Sequence, residues 1–287
     1  MLLHEDNRLA EAEPLLRQAL DKRRRVLGDE HEQTLSTGNN LAMVLMAAGK
    51  LGEAERLFRD VLDQQRRLLG DEHPHTLNAV NNLGMLLFRQ GKLDDAEPLL
   101  REAMQRLQRT TPDHPNTMSA MVNVGSLLLQ QGRVAEAEPL IRQALEKQRP
   151  VLGDEHPRTL MSQRLVATIL SAQSKPREAV ELLTSIEPAA RKAFTGTSAF
   201  QLARVLIGLG SARANLATDA DAFAVAETNL LEAQAILSAA ATPLLKDRRD
   251  AAQAFIDLYA AWQRVAPGAS HQEQSAVWKA KLDTLKE

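Results

Sequence analysis

A short motif recurs along the chain at a nearly constant spacing and constrains the fold more than any other feature. The string Gly-Asp-Glu-His begins at Gly28, Gly70 and Gly153, and a degenerate copy, Thr111-Pro112-Asp113-His114, lies between the last two. The histidines of successive copies are 42, 41 and 42 residues apart. A repeat of this length indicates a stack of small helical units, because one such unit is too small to bury its own apolar faces.

A second motif recurs within each period. It consists of a glycine and a basic residue, followed by an acidic residue, an alanine and a glutamate. Its clear copies are Gly49-Lys50 with Glu53-Ala54-Glu55, Gly91-Lys92 with Asp95-Ala96-Glu97, and Gly132-Arg133 with Glu136-Ala137-Glu138. Because glycine is typical just past the end of a helix, each copy predicts a boundary between two helices.

Apolar residues lie at helical spacing on both sides of this boundary. In one period the first helix carries Leu41, Val44, Leu45 and Ala48, and the second carries Ala54, Leu57, Phe58, Val61 and Leu62. Since proline is tolerated in the first turn of a helix, we place Pro98 and Pro139 in the opening turns of second helices, and Pro74 at the start of a first helix. The small residues Gly84 and Gly125 predict close approach between helices.

These motifs resemble the tetratricopeptide repeat (TPR) in its 42-residue form, which is found in kinesin light chains and in many bacterial proteins. The residues that carry the resemblance are Asn39-Asn40-Leu41-Ala42, Gly49-Lys50, Glu53-Ala54-Glu55 and Leu69-Gly70-Asp71-Glu72-His73-Pro74. The resemblance implies an all-α fold, in which antiparallel helix pairs form a right-handed superhelical solenoid with a continuous core.

The regular repeats end near residue 194. We predict tandem 42-residue helix pairs over residues 1–194, and a divergent pair followed by C-terminal capping helices over residues 195–287. The first pair is predicted to be truncated, because Met1–Asp6 matches only the last turn of a first helix. A truncated pair leaves an apolar face unpaired, so we expect either a longer protein or a partner that covers this face.

Composition narrows the classes of function. The net charge of −2 lacks the basic excess of a nucleic-acid-binding protein, so nucleic acid is not an expected partner. The absence of cysteine excludes disulfides, thiolate zinc sites and a cysteine nucleophile. No apolar run is long enough to cross a bilayer, and the acidic N-terminus lacks the apolar core of a signal peptide. We therefore predict a cytoplasmic protein that does not bind membranes.

The regularly placed ionisable residues are interpreted as structural. With one histidine per repeat, His31 and His73 are too far apart to share a metal ion, and we expect such histidines to bond free backbone groups at helix ends. Acidic pairs such as Glu53 and Glu55 suit the positive end of a helix dipole and do not face each other. The string Gly208–Arg213 mimics a dinucleotide-binding loop but follows a helical stretch. No enzymatic activity, metal or cofactor is predicted.

One side of each first helix remains as a candidate binding surface, since it points away from the apolar stripe. The resemblance implies that this side lines a concave groove, where an asparagine at the position of Asn39 or Asn81 holds a peptide's backbone or terminal carboxylate. Val122 and Arg164 occupy that position in later repeats. These two residues argue against a complete set of asparagines that would clamp a terminal carboxylate. The predicted peptide-binding residues are Asn39, Met43, Met46, Asn78, Asn81, Met85, Phe88, Arg89, Ser126, Gln130 and Arg164.

The chemistry of these side chains suits a peptide. Asparagine offers a donor and an acceptor, methionine and phenylalanine offer an adaptable apolar floor, and arginine can pair with an acidic side chain. In the alternative interpretation, Met43 and Phe88 pack against neighbouring helices and the asparagines bond local backbone.

The leading functional hypothesis is a non-enzymatic interaction module that binds a peptide or protein segment with apolar and acidic residues. A second hypothesis is a C-terminal regulatory or scaffold region of a larger bacterial signalling enzyme, such as a serine/threonine protein kinase. A third is a scaffold that self-associates through its unpaired N-terminal edge.

Overall fold

The chain folds into helices that follow the predicted repeat. A computed structural model describes residues 9–240 and 244–285, which contain thirteen α-helices and no strand. None of these helices is long and apolar enough to cross a membrane. The chain divides into two compact units, residues 1–151 and 152–287. The predicted all-α class is confirmed, whereas the predicted remnant of a first helix at Met1–Asp6 lies outside the described residues.

The first unit is a series of helices joined by short turns. Its helices are α1 (Leu9–Leu27), α2 (Glu32–Ala47), α3 (Leu51–Leu69), α4 (Pro74–Arg89), α5 (Leu93–Thr110), α6 (Pro115–Gln130) and α7 (Val134–Leu152), the last of which ends one residue past the unit boundary. From α1 to α6 each helix packs against the next, and the first helices also touch across repeats, α2 against α4 and α4 against α6.

A glycine with positive φ reverses the chain between the two helices of a pair. Gly49, Gly91 and Gly132 have φ of 78°, 77° and 76°, in the left-handed region that only glycine adopts readily. In the second of these turns, Lys92 donates its backbone N–H to Leu87 at 3.0 Å and so bonds a carbonyl at the end of α4. The predicted helix boundaries are therefore confirmed.

Close helix contact explains the small residues of the first helices. A Cβ atom on Gly84 would lie 2.8 Å from the Leu100 side chain, and one on Gly125 would lie 2.5 Å from Ile141. Both distances are too short for non-bonded carbon atoms, so each glycine allows the second helix of its own pair to pack tightly. The larger apolar side chains, such as Phe58 and Leu86, are fully buried in the core.

The positions of two prolines differ from the prediction. Pro98 and Pro139 are the sixth residues of α5 and α7, in the second turn rather than in the opening turn. Because Pro98 has no N–H, it donates no helical hydrogen bond to the carbonyl of Asp94. Asp94 is exposed, so water can solvate that carbonyl. Pro74, by contrast, begins α4 as predicted.

The second unit contains one further regular pair and two divergent ones. Its helices are α8 (Pro157–Ala172), α9 (Pro176–Ala193), α10 (Ala199–Ala214), α11 (Ala220–Ala239), α12 (Leu245–Val265) and α13 (Ala269–Thr284). Each packs against the next, and α10 also contacts α8 and α12. Its C-terminal core holds stacked rings, with those of Phe255 and Trp278 centred 3.9 Å apart. The predicted change from regular to divergent repeats at residue 194 falls within this unit.

Candidate functional site

The predicted residues of the first unit lie on the side of α2, α4 and α6 that is turned away from their buried stripes. We call this surface the first-helix face. Arg89 and Gln130 are exposed, and the other predicted residues of the face are half-buried. These half-buried residues are Asn39, Met43, Met46, Asn78, Asn81, Met85, Phe88 and Ser126. Half-burial leaves part of each side chain accessible to a ligand while neighbouring atoms restrict its rotamers.

Asparagine side chains link the first helices of successive repeats. Asn82 donates from Nδ2 to Oδ1 of Asn39, and Asn123 donates from Nδ2 to Oδ1 of Asn81, both at 3.0 Å. The carbonyl oxygens of Asn39 and Asn81 thus join successive first helices, and only the amide nitrogen of each side chain is left to donate a hydrogen bond elsewhere. Sequence reasoning missed Asn82, which directly follows the predicted residue Asn81, and Asn123, which follows Val122 at the equivalent position.

The apolar part of the face lies beside these amides. Met43 places its sulfur 3.9 Å from Nδ2 of Asn39, a weak contact that a stronger acceptor can replace. Met46, Met85 and Phe88 are half-buried like Met43. Each of these four side chains is partly packed against the protein and partly exposed. They are therefore consistent with packing between helices and also with an apolar floor for a peptide.

The face changes character at α6. Val122, at the position of Asn39 and Asn81, is buried. Ser126 donates its hydroxyl to the carbonyl of Val122 at 2.8 Å, which leaves the hydroxyl oxygen as an acceptor only. The predicted asparagines of the first-helix face thus lie on α2 and α4, whereas α6 contributes the exposed amide of Gln130.

Arg164, the predicted site residue of the second unit, has a different environment. It lies on α8, is half-buried, and has its Nε atom enclosed without a hydrogen-bond partner. Loss of solvent, together with the nearby guanidinium of Arg204, lowers the pKa of Arg164 to about 10. Arg204 and Asp247, which the sequence analysis did not identify, form an ion pair next to it.

Two glutamates of the second motif, Glu55 and Glu97, join one repeat to the next. Glu97 on α5 accepts from Gln131 at 3.0 Å and from Arg133 at 2.8 Å, both in the turn before α7. Glu55 accepts from Gln90 and Lys92 in the same way. Hydrogen bonds from Gln131, Arg101 and Arg133 lower the pKa of Glu97 to about 2. The sequence analysis assigned these carboxylates to the positive end of the helix dipole. Their main contacts are instead with side chains that lead into the following repeat.

The repeated histidines cap the first helices, as predicted. Nδ1 of His31, His73, His114 and His156 accepts the backbone N–H two residues later, at 3.1 to 3.2 Å. The cap satisfies one of the N–H groups that the start of a helix leaves without a partner. In the dinucleotide-like string, Gly210 lies inside α10 against Leu230, so this glycine serves helix packing.

The helix pairs, the glycine turns and the contacts between repeats define a tandem helix-repeat protein. The chain belongs to the tetratricopeptide repeat family. One tetratricopeptide repeat model matches residues 34–109, 75–146 and 116–192, and a second matches residues 1–33. No curated protein matches the chain in sequence.

Solved structures support the same assignment. A variant of a putative kinesin light chain from Podosopora anserina, which has nearly identical TPR-like repeats, is 25% identical. The match has a TM-score of 0.55 and covers 71% of this chain and 94% of that protein. RapI in its apo form is 13% identical, with a TM-score of 0.66 over 96% of this chain and 93% of RapI.

A third similar structure contains a peptide. The Rap conjugation gene regulator of plasmid pLS20, in complex with the Phr* peptide, is 15% identical, with a TM-score of 0.68. The match covers 97% of this chain and 71% of the regulator. At these identities the two Rap structures show a common fold.

Proposed function

We propose that this protein is an interaction module that binds an extended peptide segment of a partner protein on the first-helix face. The observation that carries the proposal is the pairing of Asn82 with Asn39 and of Asn123 with Asn81. Each pair holds an asparagine in one orientation, with its oxygen engaged and its amide N–H groups available. A peptide backbone, which has a carbonyl in every residue, supplies the acceptors.

The spacing of the repeats suggests a register for the peptide. Packed helices lie about 8–10 Å apart, and a chain in the extended polyproline II conformation advances about 3.1 Å per residue with three residues per turn. Carbonyls three residues apart would therefore point the same way and meet Asn39 and Asn81 on adjacent first helices. Peptide side chains three residues apart would then point toward the apolar surface of Met43, Met85 and Phe88.

Further support comes from the charge and from a structural relative. Arg89 is exposed at the end of α4 and favours a partner with an acidic residue at that end of the face. The Rap regulator that shares this fold was solved with a bound peptide. The ordered face also lowers the entropic cost of binding, because its side chains are already partly fixed.

The decisive variant is Asn81→Asp. It keeps an oxygen to accept from Asn123 but replaces the free amide donors with a second, negatively charged oxygen, which repels a peptide carbonyl. We would select binders from a random peptide library and measure their affinities by fluorescence polarisation. We expect Asn81→Asp to weaken binding at least tenfold, which corresponds to about 1.4 kcal/mol.

Asn40→Asp is the matched control, since Asn40 is exposed and directly follows a site residue. It introduces the same charge and should leave affinity within about twofold, a free-energy change of roughly 0.4 kcal/mol. Equal losses in the two variants, or no loss in Asn81→Asp, would show that the peptides bind elsewhere.

A further inference from the structure

A groove in the second unit collects the largest aromatic side chains of the protein. It is lined by residues of α11, α12 and α13 and has a volume of about 490 Å³. Both tryptophans and the only tyrosine of the chain, Trp262, Trp278 and Tyr259, line it. Because tryptophan and tyrosine often carry the binding energy of protein interfaces, this concentration makes the groove a candidate binding site.

The rings in and under the groove lie nearly parallel. The ring of Trp262 is stacked with that of His271, with centres 4.5 Å apart, and with that of Phe223, with centres 5.4 Å apart. Tyr259 and Trp278 are buried, whereas Trp262 and His271 are half-buried. Trp262 and His271 are therefore the rings that a ligand in the groove can reach, and a planar group can extend their stack.

Glu227 supplies a negative charge beside these rings. One of its carboxylate oxygens accepts a hydrogen bond from the phenol of Tyr259, whose ring centre lies 6.4 Å from that of Trp262. Burial, together with this bond, raises the pKa of Tyr259, so the phenol keeps the proton that it donates. Glu227 is half-buried, and no cationic side chain of the described residues lies within 4.0 Å of its carboxylate. Tyr259 thus orients this charge without neutralising it.

The lysine in the groove lining serves a different ring. Lys281 places its Nζ atom 3.8 Å from the centre of the Trp278 ring. It follows His271 by ten residues on α13, which is about 15 Å along the helix axis. A cation thus already covers the ring at one end of the groove. At the other end, Glu227 and the rings of Trp262 and His271 have no cation among the described residues.

We propose that this second end of the groove binds the guanidinium of an arginine side chain from a partner protein. A guanidinium is planar, so it can stack on the rings of Trp262 and His271 while its N–H groups bond the second oxygen of Glu227. Leu231 on α11 and Val277 on α13 are 51% and 46% exposed, and they offer apolar contact to the stem of the arginine and to its neighbours in the partner. An apolar side chain would leave Glu227 without a cation, and the carboxylate would repel an anion.

The first test uses N-acetylarginine amide as the probe and follows the indole N–H signal of Trp262 by NMR in the isotope-labelled protein. The matched competitors are N-acetylcitrulline amide, which has a similar shape but no charge, and N-acetyllysine amide, whose charge is not planar. We expect a saturable shift with the arginine derivative, about fivefold weaker binding of the lysine derivative and no saturable shift with citrulline. No saturable shift with arginine, or equal affinity for either competitor, would overturn the proposal.

A variant of Glu227 provides the second test. Glu227→Gln keeps an oxygen that can accept from Tyr259 but removes the charge, so we expect its affinity for the arginine derivative to fall about tenfold. Glu273→Gln, at an exposed position of α13, is the matched control and should stay within about twofold of the wild type. Equal losses in the two variants, or no loss in Glu227→Gln, would contradict the site. The comparison of arginine with citrulline uses the wild type, so it decides the question even if Glu227→Gln is less stable.

A peptide distinguishes a protein partner from a free guanidinium compound. A pentapeptide with arginine at its centre and leucines on both sides can also contact Leu231 and Val277, so we expect it to bind about tenfold more tightly than N-acetylarginine amide. Equal affinities would mean that the groove takes a small molecule, and the assignment to a partner protein would be wrong. All residues of the site belong to the second unit, so the outcome is independent of peptide binding on the first-helix face.

Discussion

Asn82 donates a hydrogen bond to the side-chain oxygen of Asn39, 43 residues earlier in the chain, at 3.0 Å. The bond joins the first helices of two successive repeats through their side chains. Because the bond occupies the side-chain oxygen of Asn39, the amide nitrogen is the part of that side chain that can bond a ligand. One contact therefore serves both the stacking of repeats and the chemistry of the candidate site.

The energetic coupling of this pair can be measured by a double-mutant cycle with Asn39→Ala and Asn82→Ala. We expect a coupling of about 0.5–1.5 kcal/mol in the free energy of unfolding, determined by urea denaturation. The cycle of Asn40→Ala with Asn82→Ala serves as the control and should be additive. Coupling as large in the control cycle would indicate a general effect of altering these helices.

The space around two helical glycines predicts that a glycine-to-alanine substitution changes the free energy of unfolding in opposite directions. Gly125→Ala places a Cβ atom 2.5 Å from Ile141 and should lower the free energy of unfolding by about 1–3 kcal/mol. Gly52→Ala on α3 meets no atom within 4 Å and should stabilise the helix by up to about 1 kcal/mol. Urea denaturation of both variants tests this contrast, and similar losses at the two positions would contradict it.

The turn between α8 and α9 carries a residue that conflicts with its backbone conformation. Ser174 has φ of 60° at the position where the other repeats have Gly49, Gly91 and Gly132. Ser174→Gly should raise the free energy of unfolding by about 1 kcal/mol, since glycine adopts this region without steric cost.

The matched control for this variant is Ser171→Gly. Ser171 is exposed within α8, where glycine is unfavourable, so the same substitution should lower the free energy of unfolding by about 0.5–1 kcal/mol. Thermal denaturation followed by circular dichroism measures both. A loss of stability in Ser174→Gly would show that its serine side chain contributes a contact that outweighs the strain.

The ion pairs between repeats predict a stability that is lost in acid. Because the pKa of Glu97 is about 2 in the folded protein and near 4.5 in the unfolded chain, its ionised form stabilises the fold. This contribution, about 1–3 kcal/mol, is complete above pH 4.5 and is lost as the pH falls towards 2.

Glu97→Gln removes the titrating group and should flatten the decrease in melting temperature between pH 5 and pH 2. The melting temperature at neutral pH should fall, because Arg101 and Arg133 each lose one of their carboxylate partners and keep only Glu136. Asp94→Asn on the same helix is the control, since Asp94 is exposed. An unchanged pH profile in Glu97→Gln would mean that other carboxylates govern the acid transition.

Much of the architecture was predictable because its determinants are local. The period of about 42 residues, the apolar spacing and the glycine turns predicted the helix pairs, and His73 and its equivalents were predicted to bond backbone groups at helix ends. The second-turn position of Pro98 was not predicted, because where a helix begins depends on the turn before it, and that turn ends at Lys92.

The sequence alone determined which residues form helices and which side of each helix is apolar, because these properties depend on neighbours within a few positions. Only the tertiary structure decided that Glu97 bonds Arg133, that Asn82 orients Asn39, and that Arg204 pairs with Asp247. These three contacts join residues 36 to 43 positions apart. Their geometry depends on how packed helices are turned against one another, which a periodic pattern does not specify.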